Sequence, residues 1–124
     1  MRSAFRFLVV ASVFALPVQR AAAQDAAAGQ SVFKAQCSIC HSVTPGRTLT
    51  GPSLAGLIGR TAGTLPGFNY SEANKKSGIV WTAATLDPYL ASPLKAIPGT
   101  RMTYPGLKDS KQRADLIAYL ATLH

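Results

Sequence analysis

The sequence predicts a small all-α domain, on three observations. Helical apolar periodicity marks one helix near residue 25 and another at the C-terminal end; no segment alternates apolar and polar residues as a half-buried strand would; and the stretch between is rich in glycine and proline. A chain of 124 residues has room for one such domain and no second.

The first 23 residues read as a leader. Arg2 and Arg6 form a positive start, Phe7 to Val18 is apolar apart from Ser12 and Pro17, and Ala21-Ala22-Ala23 supplies small residues for cleavage. This is the pattern of a secretory signal peptide over residues 1–23, with Gln24 opening a mature domain over 24–124. The apolar run falls short of the roughly 20 residues that span a bilayer. Its contiguity also differs from an amphipathic transit peptide, so the expected location is the periplasm, with the mitochondrial intermembrane space as the alternative. The whole chain carries 13 basic and 5 acidic side chains; without Arg2, Arg6 and Arg20 the mature part has net charge +5. Two cysteines exclude a disulfide-dense scaffold, and the composition excludes a membrane-spanning protein or a disordered acidic tail.

The first helix has Asp25 as its cap or in its first turn, with Ala28, Val32 and Phe33 recurring along one side. Residues 42–69 hold nine glycines and prolines and form ordered loop. A loop that long in a compact domain requires something to order it. Ser71 is the expected cap of a short helix that stops at Gly78. A further short helix contains Leu86, Tyr89 and Leu90. A Thr82 cap would put Pro88 in its interior at a cost of about 3 kcal/mol, so the preferred cap is Thr85, which leaves Pro88 in the first turn. The last helix is capped by Asp109 or Ser110 and runs to about Leu123, with Leu116, Ile117, Tyr119, Leu120 and Leu123 as its apolar stripe. The domain is short of core for its loops, and a large apolar prosthetic group would resolve that.

Cys37-Ser38-Ile39-Cys40-His41 is the C-x-x-C-H pattern of c-type haem attachment. Two thiols three positions apart at a helix end add across the two haem vinyl groups, and the adjacent imidazole is placed under the iron. The alternatives fit less well. A redox dithiol calls for a preceding strand in a βαβ unit. A zinc site lacks a fourth ligand, because the other histidine is the terminal His124. A plain disulfide leaves His41 without a role. The mature chain has one methionine, Met102, on the stiff turn Ile97-Pro98-Gly99-Thr100-Arg101. This context favours axial ligation over core filling, with His124 a weaker candidate for the same position.

The chain resembles the small class I cytochromes c of mitochondria and bacteria over nearly all of residues 25–122. The matching stretches are Gly29 to Phe33, Gly51-Pro52-Ser53-Leu54, residues 56–60, Pro66-Gly67-Phe68-Asn69-Tyr70, Ala73-Asn74-Lys75, Gly78-Ile79-Val80-Trp81, Pro98 to Met102 and Asp115 to Leu120. The resemblance implies crossed terminal helices, with Gly29 at the close approach and Phe33, Leu116 and Tyr119 packed there. Short helices and ordered loops would wrap one haem c, covalently bound through Cys37 and Cys40. The iron would be ligated by His41 and Met102. The Pro52 carbonyl would accept from His41 Nδ1–H; Arg60, Tyr70, Asn74, Trp81 and Thr100 would serve the propionates; and Tyr89 would hydrogen-bond the methionine sulfur.

Both axial positions being filled implies an electron carrier rather than an enzyme, cycling one electron at a time. The implied partners are respiratory or photosynthetic membrane complexes: a quinol–cytochrome c oxidoreductase, and a terminal oxidase or photosynthetic reaction centre. They would dock on a monomer at a basic haem edge near Lys34, Lys95, Arg101 and Lys108. Gln36 and Leu94 stand where the family often has lysine, and Tyr104 where it commonly has phenylalanine. No nucleic-acid motif accompanies the basic charge. A fixed or tethered subunit of a larger complex is the alternative, and after it a haem enzyme or gas sensor.

Overall fold

The computed structural model describes residues 24–124, and the expected signal peptide lies outside the described residues. Five helices follow in order: α1 Ala26–Gln36, α2 Glu72–Lys76, α3 Ala83–Ala91, α4 Pro93–Ala96 and α5 Ser110–Leu120. Among the described residues the only β pairing is a single bridge between Thr61 and Val80.

Helices α1 and α5 start on aspartate caps. Asp25 accepts from the N–H groups of Ala27 and Ala28, and Asp109 from that of Gln112. The two helices cross where Gly29 is buried, because a Cβ there would lie 1.9 Å from the carbonyl oxygen of Asp115. Phe33 and Tyr119 meet beside the crossing with ring centroids 5.6 Å apart, and Leu116 and Leu120 complete the seam. Asp115 is buried at the same place. Its carboxylate accepts from Lys111 Nζ at 2.6 Å and from the Asp25 backbone N–H at 2.9 Å, which ties the start of α1 to α5. These two donors, Lys111 first, hold the Asp115 carboxyl below its ordinary range against the opposing effect of desolvation.

Helix α2 is capped by Ser71 as expected, and Gly78 just beyond it takes φ +67°. Helix α3 departs from expectation: its cap is Thr82, not Thr85, and Pro88 lies inside it. Thr82 and Thr85 form a reciprocal capping box, and Thr85 Oγ1 also donates to the Val80 carbonyl at 2.7 Å. Those bonds, with burial of Leu86, Tyr89 and Leu90, offset the bond lost at Pro88. Helix α4 is a single turn opened by buried Pro93, and α5 ends at Leu120 rather than Leu123. Residues 42–69 hold no helix. They wrap back through Leu54 N–H to Ser42 O, Gly59 N–H to Trp81 O and Ala62 N–H to Ile79 O.

Candidate haem site

The loops and helices enclose a cavity of about 740 Å³. Voids larger than a water molecule are few in a protein interior, so this volume belongs to a ligand site. Its wall is apolar where the helices supply it, with Leu86, Leu90, Leu116 and Leu120, and Leu54, Leu57 and Phe68 add the loop side.

Cys37, Cys40 and His41 line one side of this space at the end of α1, and both thiols are free. The last turn places them: Cys37 N–H donates to Phe33 O, and His41 N–H to Cys37 O. Burial, and then the neighbouring Cys40, push the Cys37 thiol up to about 11. His41 Nδ1 stands 2.8 Å from the Pro52 carbonyl. Bonding there places the proton on Nδ1 and leaves the ring's lone pair on Nε2. Burial lowers the imidazole pKa despite the Pro52 carbonyl, so the ring is held neutral, the form a metal requires. Gly51 lies against the ring; a Cβ there would be 2.4 Å from His41 Cε1. That packing was missed in the sequence, where Gly51 reads as a loop residue. The signal was its place directly before Pro52.

Met102 lines the same cavity. Tyr89 Oη donates to Met102 Sδ at 3.3 Å, and the Tyr89 ring packs against Trp81 at a 54° tilt with centroids 4.7 Å apart. Burial raises the Tyr89 hydroxyl pKa, so it remains a donor.

The polar residues gather unevenly. Arg60, Tyr70, Asn74 and Trp81 all line the cavity. Arg60 spends Nη1 on the Ser53 carbonyl at 3.0 Å and Nη2 on that of Ala55, leaving other donors of its fork available. Asn74 Oδ1 is buried with no partner among the described residues. Thr100 lies outside the wall of this space, in a smaller cavity of about 410 Å³ beside Met102 and Tyr104, and its Oγ1 accepts the Met102 N–H at 3.3 Å. The donor set suits a macrocycle with carboxylate arms: an apolar hollow, two thiols, an oriented imidazole, a thioether, and side-chain N–H and O–H donors on Arg60, Tyr70, Asn74 and Trp81 for such arms.

The cytochrome c family model matches residues 26–124. The chain is 52% identical to cytochrome c2 of Blastochloris viridis over 109 residues, covering 87% of this chain and 85% of that one. It is 45% identical to cytochrome c2 of Rhodomicrobium vannielii over 122 residues, covering 98% and 97%. Its fold is similar to that of cytochrome cH from Methylobacterium extorquens, with TM-score 0.75, 45% identity, and coverage of 79% of this chain and 98% of that one.

Proposed function

Since the chain belongs to the cytochrome c family, we propose that it is a His/Met-ligated carrier shuttling single electrons between membrane complexes in the periplasm. It is an electron-transport protein built on covalent haem c, and Cys37 and Cys40 are the cysteines of its attachment motif. When bound, the haem supplies a ferrous–ferric couple. The chain's own residues supply everything else.

His41 would hold the iron through Nε2, with Pro52 and Gly51 setting the orientation of the ring. Met102 would hold it through Sδ, and the Tyr89 hydroxyl would draw electron density from that sulfur. With both positions taken no site is left for a substrate. Arg60, Tyr70, Asn74 and Trp81 would meet the carboxylate arms, since a buried carboxylate needs paired donors. The apolar wall keeps water away and favours the less charged ferrous state.

The surface supports brief docking rather than tight assembly. Lys34 and Lys95 are exposed, whereas Lys108 turns its ammonium to the Ala91 carbonyl at 2.6 Å and Arg101 reaches the Asn69 carbonyl at 3.1 Å. Leu94, next to Lys95 in the chain, is 63% exposed. This face steers an acidic partner by charge and meets it with apolar surface. No helix among the described residues is long and apolar enough to cross a membrane, and the leader pattern supports export.

The observation that carries this reading is the sharing of one cavity by His41 and Met102, the former held by Pro52 and the latter by Tyr89. Absorption spectroscopy of the ferric protein tests it. The expected result is a low-spin spectrum with a weak far-red sulfur–iron band that Met102→Ala abolishes. A high-spin, five-coordinate native spectrum would overturn it.

A further inference from the structure

We propose that Gln36 and Tyr104 form a latch across the mouth of the haem site that positions the Met102 loop and slows its opening. The latch rests on the His41–Met102 ligation proposed above. Tyr104 Oη donates to Gln36 Oε1 at 3.1 Å, joining positions 68 residues apart. Both residues line the cavity with Cys37 and Met102.

The two ends of this bond are well placed for the task. Gln36 is the last residue of α1 and precedes Cys37, so it is anchored to the attachment motif. Tyr104 sits two residues after Met102, in a stretch with no helix between Ala96 and Ser110. Among the described residues, this is the one hydrogen bond that joins residues 103–106 to α1. Leu107 N–H is fixed further on, to the Leu90 carbonyl at 2.8 Å. Met102 stands two residues before Tyr104, so a movement that carries its sulfur out of the cavity pulls on Tyr104 and on its bond to Gln36, while Leu107 holds the chain beyond.

The chemistry of the pair is complementary in a way neither residue shows alone. A lysine at position 36 would have no acceptor and a phenylalanine at 104 no donor. The bond therefore needs both residues as they stand in this chain.

Displacement of the sulfur by imidazole tests the latch on the mature, haem-loaded ferric protein at neutral pH. Decay of the far-red band at saturating imidazole reads the rate of loop opening. A neutral hydrogen bond with one exposed partner predicts that Tyr104→Phe and Gln36→Ala each speed the decay about 2- to 5-fold. The double variant is expected to be no faster than either single one, and Gln36→Glu, which keeps an acceptor, to stay near the parent rate. Unchanged rates in the single variants, or a double variant whose acceleration is the product of the two, would overturn the latch while leaving the ligation intact. A parent protein with no far-red band would overturn the ligation and the latch together.

Discussion

Gly29→Ala probes the crossing that holds the two terminal helices together. The new Cβ would lie 1.9 Å from the Asp115 carbonyl oxygen and 2.9 Å from Tyr119 Cβ, where ordinary contact begins at 3.4 Å. Helices α1 and α5 would therefore have to part by about 1.5 Å. Nothing at the seam is loose enough to absorb this, since Leu116 is 1% exposed and Phe33 5%. Overpacking of a close-packed site costs about 1–3 kcal/mol, and the upper end applies because the obstacle is backbone. Alanine returns about 1 kcal/mol through its helix propensity. The net loss is about 2 kcal/mol, which for a domain of this size lowers the melting temperature by about 8–16 °C. Thermal unfolding of the haem-loaded protein, followed by far-UV circular dichroism, measures it. Gln30→Ala, one position on and exposed, serves as the control and should move stability by less than about 0.5 kcal/mol. A Gly29→Ala protein as stable as the parent would refute the close-crossing argument.

Two further perturbations address charge and potential. The Asp115 carboxyl is depressed in the folded state, chiefly by Lys111 and then by the Asp25 N–H. Its stabilisation is therefore present above the ordinary carboxylate pKa of about 4 and disappears as pH falls through the lower folded value. Asp115→Asn should be less stable than the parent at pH 7, with the gap closing in acid; guanidinium unfolding across that range checks it, and a gap independent of pH would count against the pairing. Tyr89→Phe removes the donor to Met102 Sδ at 3.3 Å, enriching the sulfur and favouring ferric iron. The potential should fall by about 20–40 mV, the equivalent of about 0.5–1 kcal/mol for one electron, as read by spectroelectrochemistry.

Much of this architecture is legible in the residues because local signals agree with the tertiary outcome. Asp25, Ser71 and Asp109 cap their helices as their residue type predicts, and the long glycine–proline loop forms no helix because a cavity, not periodicity, organises it. The start of α3 is misread for a physical reason. The penalty of an internal proline is visible in the sequence, whereas the Thr85–Val80 bond and the burial of Leu86 that outweigh it are tertiary. Helix α4 is too short to show a period, and its proline start is visible only in hindsight. At the site, Cys37, Cys40 and His41 announce themselves through spacing. Gly51 does not, because its role is the absence of a side chain against His41. Arg60 reads as a donor to a ligand, yet two of its N–H groups brace the Ser53 and Ala55 carbonyls, a local closure that composition cannot reveal.

The decisive measurement exposes the reduced, haem-loaded protein to carbon monoxide at neutral pH and follows its absorption spectrum. If His41 and Met102 hold the iron from both sides, as proposed, the spectrum should remain that of the unliganded ferrous protein. Prompt conversion to a carbonyl spectrum would mean that one side stands open, and would contradict a protein built only to pass electrons.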